Sequence, residues 1–229
     1  MLINQPAGIG DLLFLEPMFR HFWKQNGEKP KCIVREHFLW VQDYIESADF
    51  VPASQYAAII DDEKQAPGYL PIRFANPIYR GHNKWYFDDY ENCMLDKYRM
   101  VGLPIEKWKE LHILFYPERS LKLFAHLNIS AESEYIVVNE YWSGGKIDII
   151  PETDLKVIRM QNIPGFTMCD WAMIMKFAQE NHHVSTGTFY LFEALGEVPG
   201  PIYIYPRPNA DGLRGIKNLN PSFKYIAKL

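Results

Sequence analysis

The chain has 229 residues, 48% of them hydrophobic, with 24 Lys and Arg against 28 Asp and Glu for a net charge of −4. That length and balance suit one large or two small globular domains and argue against a nucleic-acid protein held mainly by phosphate contacts. No apolar run approaches the ~20 residues of a membrane span, no basic segment precedes the first apolar residues, and Cys32, Cys93 and Cys169 make neither a metal spacing nor a disulfide framework, so a reducing, cytoplasmic setting is expected.

The first predicted strand covers residues 2–5 and runs into Pro6-Ala7-Gly8-Ile9-Gly10-Asp11. A helix follows over 11–25, with Leu12, Leu15, Phe19, Phe22 and Trp23 on one face and Asn26-Gly27 as its stop. A second strand is expected over 31–35, a helix over 38–45, and further strands over 48–51 and 56–60. This β-α-β-α order implies a parallel sheet with right-handed crossovers. Residues 63–84 read as loop, 85–101 as helix and 111–116 as strand. The expected domain junction is Pro117-Glu118, dividing 1–117 from 118–229.

The second half repeats the pattern without repeating the sequence. Helices are expected over 119–127, 168–180 and 189–195, and strands over 135–139, 155–160, 182–184 and 202–205. Trp142-Ser143-Gly144-Gly145-Lys146 reads as a turn, and after Pro206 few signals appear before 223–229. Strand–turn–helix signals at 8–12 and 184–188 suggest two sheets facing one cleft, the α/β class with two Rossmann-like domains.

Four clusters carry candidate chemistry. Asp11 can serve as a general base toward a hydroxyl, or as a helix N-cap, with Gly8 and Gly10 making the turn tight under either reading. Ser143, Gly144 and Lys146 can cradle a diphosphate through amides and an ammonium, or form an ordinary turn with a solvated lysine. Ser185, Thr186, Gly187 and Thr188 open a helix and can hold phosphate or sugar oxygens, or cap it, while Glu193 can accept from a ribose or lie on a solvated face. Arg80 and His82 belong to a basic loop beside aromatic residues that can line an acceptor groove or simply cover the surface. No metal is expected: the adjacent His182 and His183 point to opposite faces of a strand, and Asp61-Asp62-Glu63 reads as a solvated acidic turn.

Gly8-Ile9-Gly10-Asp11-Leu12-Leu13, followed by Glu16-Pro17, resembles the opening of heptosyltransferase-like glycosyltransferases of the GT-B fold. Two later blocks resemble the same family. One is Asn139 to Lys146. The other joins a helix through Cys169-Asp170-Trp171-Ala172-Met173-Ile174-Met175 to His183-Val184-Ser185-Thr186-Gly187-Thr188-Phe189-Tyr190-Leu191-Phe192-Glu193-Ala194-Leu195-Gly196. The resemblance implies a metal-independent inverting transferase with a nucleotide-diphosphate sugar as co-substrate, a glycan acceptor and no other cofactor. On that mapping Asp11 takes the base position, and Lys146, Thr186 and Gly187 fall in the donor site. Ser185 stands where the family has Asp, and Tyr190 where it usually has His, which points away from heptose and toward a deoxyhexose such as rhamnose. The short length implies a pared-down member or one domain of a larger polypeptide.

Two rival readings follow from the same residues. A NAD- or SAM-dependent enzyme would use the Gly8-Ile9-Gly10 turn and Glu36, although Leu13 occupies the place of the third fingerprint glycine. A non-catalytic carbohydrate-binding protein would keep the fold without the activity.

Overall fold

The computed structural model describes residues 1–5, 8–60, 64, 67–75, 90–207 and 225–227, with the side chains of 74, 75, 90–93 and 225–227 left aside. The chain divides into two compact units, Met1–Leu114 and Phe115–Leu229, each with its own parallel sheet.

The first unit runs β1 (Leu2–Asn4), α1 (Ile9–Phe14), α2 (Glu16–Asn26), β2 (Lys31–Val34), a 3-10 helix Glu36–Asp43, β3 (Asp49–Pro52) and a 3-10 helix Ala53–Tyr56. It continues through β4 (Tyr69–Leu70), a 3-10 helix Ile72–Ala75, α3 (Tyr90–Met100) and a 3-10 helix Ile105–Glu110. The sheet order is β3-β2-β1-β4, with Ile3 in register with Cys32 on one side and Leu70 on the other. Ile3, Ile33 and Val34 of the sheet and Leu12, Leu15 and Phe19 of the helices are all fully buried.

Several elements depart from the sequence pattern for local reasons. The helix expected over 11–25 is broken at Leu15, which ends α1 and precedes α2. Pro17 explains the break: it lacks the N–H that would bond Leu13, and its fixed φ suits the first turn of a new helix. Gly27 stops α2 at φ 73°, a left-handed conformation that glycine adopts cheaply. The helix expected over 38–45 is a 3-10 helix. The strand expected over 56–60 is absent because its carbonyls are taken by side chains: Asn4 Nδ2 donates to Ile60 O at 2.7 Å, and Tyr69 Oη to Ile59 O at 2.7 Å. Tyr69–Leu70 fills that place in the sheet. The stretch 111–116 is not a ladder strand; Leu114 N donates to the carbonyl of Tyr44 at 2.9 Å instead.

The second unit runs α4 (Pro117–His126), β5 (Tyr135–Asn139), β6 (Tyr141–Trp142), β7 (Gly145–Lys146), β8 (Lys156–Arg159), a 3-10 helix Met168–Trp171 and α5 (Ala172–Phe177). It ends with β9 (Glu180–Val184), α6 (Thr188–Leu195), β10 (Ile202–Tyr205) and β11 (Tyr225–Ala227). The parallel order is β11-β10-β9-β5-β8, and β6 and β7 form a separate antiparallel hairpin. All five residues of β5 are buried, as a central parallel strand covered on both faces requires. The helix expected over 168–180 stops at Phe177, where the buried Asn181 amide donates to Met175 O at 3.0 Å.

Gly200 sits where β10 begins, and a Cβ there would lie 2.1 Å from the carbonyl oxygen of Gln179. Backbone cannot yield as a side-chain tip can. Gly200→Ala is expected to lower the unfolding free energy by about 2–3 kcal/mol in urea denaturation, the upper part of the usual overpacking range.

Candidate functional site

Gly8 is the N-cap of α1 with φ −73° and ψ 163°, ordinary extended backbone, so the tight-turn reason for a glycine does not hold there. Its carbonyl accepts from Asp11 N at 3.1 Å. Asp11 is therefore not the N-cap; it sits in the first turn, and no side chain caps the helix. Its Oδ1 instead accepts from the ammonium of Lys97, whose side chain is fully buried while Asp11 remains 20% exposed.

Packing explains the pairing. Asp11 and Phe14 lie three residues apart, on one face of α1. Tyr98 Oη donates to the Phe14 carbonyl at 2.7 Å, and the two rings meet edge-to-face at 5.2 Å. Trp108 stacks on Phe14 at 5.7 Å. These contacts draw the buried face of α3, with Met94, Leu95, Lys97 and Tyr98, against α1. Lys97 is absent from the sequence-derived candidates. Its signal was a lysine between Leu95 and Tyr98 on an apolar helix face.

Glu16, the first residue of α2, is committed elsewhere. It accepts from Arg20 Nε at 3.0 Å, Ser47 Oγ at 3.2 Å and the His112 amide at 2.9 Å.

In the second unit a cavity of about 570 Å³ opens at the carboxyl ends of β5 and β8. Asn139, Gln161 and Asn162 offer amides to it; Tyr141, Met160, Phe166, Met168 and Trp171 supply apolar and aromatic walls. No lining residue carries a charged side chain. The wall formed by 166–171 is fixed from behind. Asp170, buried, accepts from Arg119 Nε at 2.7 Å and Nη2 at 2.8 Å, and from Thr167 N at 2.7 Å within a capping box. Asn139 and Tyr141 belong to the 139–146 segment singled out in the sequence; the lining residues at 160–171 were not among the candidate site residues.

The turn 142–146 is a hairpin beside this cavity. A Cβ on Gly144 would stand 2.9 Å from the Trp142 indole nitrogen, and one on Gly145 3.0 Å from the same ring. The glycine pair thus makes room for the indole. Ser143 and Gly144 are exposed at the tip. The Lys146 ammonium lies 5.7 Å from the centre of the Tyr141 ring, which itself lines the cavity. It is ion-paired with Asp148 at 2.9 Å and Glu140 at 3.4 Å, and these raise its pKa, the Asp148 hydrogen bond contributing most. Glu140, buried, also accepts from Arg159 Nη1 at 2.5 Å and from the Ile149 amide at 3.0 Å.

At the start of α6 the N-cap is Gly187, with no side-chain cap, so neither Ser185 nor Thr186 caps the helix. The Ser185 amide donates to Tyr205 O at 2.9 Å, and its carbonyl accepts from Arg207 Nε at 2.6 Å. Thr188 is buried and turns its hydroxyl to His183 Nδ1 at 3.1 Å. Glu193 is half-buried on α6, and Tyr190 is buried. Arg80 and His82, like Asp61-Asp62-Glu63, lie outside the described residues. Among the described residues no group of three His, Cys, Asp or Glu could hold a metal ion, and no helix is long and apolar enough to cross a membrane.

No protein-family model and no curated protein sequence matches the chain. Solved structures do. The chain is similar to the crystal structure of the glycosyl transferase family 9 from Veillonella parvula DSM 2008, with a TM-score of 0.54 and 11% identity, over 99% of this chain and 85% of that one. It is similar to E. coli heptosyltransferase WaaC with ADP at a TM-score of 0.50 and 12% identity, over 100% of this chain and 90% of that one.

Two stability predictions follow from the buried groups. Asp11→Asn strands the Lys97 ammonium without a counter-charge and is expected to cost about 3 kcal/mol, with most of the loss recovered in Asp11→Asn/Lys97→Met, as read by urea denaturation. His183 is held neutral by burial, and secondarily by His182, at a pKa of about 3 against an ordinary 6.5. Above pH 6.5 it contributes nothing to the pH dependence. Below it the unfolded chain takes up a proton that the folded chain refuses, so stability falls toward pH 3 by up to ~1.4 kcal/mol per pH unit. His183→Gln is expected to flatten that acid limb in denaturation curves taken from pH 7 to 4.

The two parallel sheets, their helices and the match over nearly the whole length give this chain the fold of the heptosyltransferase-like glycosyltransferases.

Proposed function

We propose that the chain is a glycosyltransferase that takes its sugar from a nucleotide-diphosphate donor and passes it to a glycan hydroxyl. The observation that carries this reading is the cavity of the second unit: uncharged, walled by aromatic rings and amides, with the Lys146 ammonium beside the Tyr141 ring on its rim. A nucleobase is neutral and planar and suits such walls; a diphosphate is anionic and suits the lysine. The position at the carboxyl ends of parallel strands is where open α/β sheets bind ligands. One structural neighbour was solved with ADP, which supports a nucleotide as the ligand class.

In this reading the base occupies the cavity, and Lys146 with the amides of the 186–188 turn takes the diphosphate. Thr188 contributes through its backbone, since its hydroxyl is held by His183. Asp11, in the first unit, accepts the proton of the acceptor hydroxyl. The acceptor oxygen then bonds to the anomeric carbon, the bond from that carbon to the diphosphate breaks, and the nucleoside diphosphate leaves with the electron pair. Displacement from the opposite side inverts the anomeric centre. No metal enters the scheme, since Lys146 and backbone amides stabilise the leaving charge. A deoxyhexose such as rhamnose is the proposed sugar, with Ser185 in place of the family's acid. The buried thiols Cys32 and Cys169 suit a reducing, cytoplasmic setting.

Calorimetric titration in EDTA with ADP, UDP, GDP and dTDP is expected to show one of them binding without a divalent cation. Lys146→Met should weaken that diphosphate about tenfold and leave the matching nucleoside unchanged, because only the phosphate loses a charge-assisted contact. Binding of NAD or S-adenosylhomocysteine instead, or no binding by any nucleoside diphosphate, would overturn the reading.

A further inference from the structure

The Lys97 ammonium is fully buried, and among the described residues its ion-pair partner is Oδ1 of Asp11. A buried cation with one partner fixes that partner's place, because turning the carboxylate away leaves the charge unpaired, while a half-turn only exchanges its two equivalent oxygens. The other oxygen, Oδ2, lies over Gly8: a Cβ on Gly8 would stand 3.5 Å from it. The backbone at Gly8 is extended and open to any residue. A side chain there would bring a methyl into van der Waals contact with Oδ2, and glycine leaves that side of the oxygen open.

We infer that Lys97 is a positioning residue for the transfer reaction: it holds Oδ1 of Asp11 so that Oδ2, kept uncovered by Gly8, is the oxygen that takes the acceptor's proton. This rests on the reading of Asp11 as the base. The proton passes from the acceptor hydroxyl to Oδ2. The electron pair of the broken O–H bond remains on the acceptor oxygen and forms the new glycosidic bond. The ammonium keeps its own protons throughout.

The test compares Lys97→Met, Asp11→Asn, the double variant and Gly8→Ala. Donor Kd comes from calorimetry and kcat from saturating donor and acceptor. Lys97→Met is expected to lower kcat about 100-fold, the scale of an ångström-sized misplacement of a reacting group, with donor Kd changed less than about twofold. On the Asp11→Asn background the same substitution should lower kcat no further, since Lys97 acts through that carboxylate. An equal fold-loss on both backgrounds, or wild-type kcat in Lys97→Met, overturns the inference. Gly8→Ala keeps the fold and tests the same geometry should Lys97→Met fail to fold. It is expected to reduce kcat about tenfold with donor binding intact, and unchanged kcat counts against an Oδ2 route. Wild-type turnover in Asp11→Asn removes the base itself and the inference with it. An inactive Asp11→Asn beside fully active Lys97→Met and Gly8→Ala removes the inference alone.

Discussion

Every ladder in both sheets is parallel. A parallel strand cannot hand the chain to its neighbour at the same end. Each connection must travel back along a covering layer before the next strand begins. The loops that leave the carboxyl ends therefore collect along one edge of each sheet. Gly8 to Asp11 leave β1 in this way; the hairpin leaves β5, residues 160–162 leave β8, and 185–188 leave β9. None of these segments adjoins the others in sequence within its unit, yet the common direction of the strands gathers them.

Charge is the second organising element. Four buried or half-buried carboxylates each tie separate segments together: Asp11 to Lys97, Glu16 to Arg20 and the 112 amide, Glu140 to Arg159 and the 149 amide, Asp170 to Arg119 and the 167 amide. Asp11, Glu16 and Asp170 lie in the first turn of a helix, and Glu140 directly follows β5. A buried carboxylate with one partner removed is costly, so these ties act as all-or-nothing fasteners rather than graded contacts. They compensate for short elements: α1 and α5 have six residues each, too few to hold themselves by helical bonding.

Local pattern was enough to read β1, β2, β5, β9, β10 and the helices at 117–126 and 188–195, because their periodicity and the turn residues that bound them are written within each segment. The elements that escaped the sequence depend on partners far away. The expected strand at 56–60 lost its carbonyls to Asn4 and Tyr69, which no local window contains. The break at Leu15 is written in Pro17, but the apolar face runs on across it and masks it. The candidate residues divide in the same way. Asp11 and Lys146 announced themselves beside glycines, whereas Lys97 is 86 residues from Asp11. The pocket walls at 160–171 have no chemical signature until β8 is laid beside β5.

The cluster around Lys146 has a consequence for ionic strength. The exposed lysine is already matched by Asp148, itself largely in water, and by the buried Glu140, which Arg159 shares. Under the proposed function, a phosphate arriving at this ammonium would exchange one anionic neighbour for another; it would not discharge a bare cation. Added salt screens the departing aspartate and the arriving phosphate alike. Affinity at such a point varies less with salt than that of an unaccompanied lysine, and selection among anions rests on geometry and valence more than on attraction at a distance.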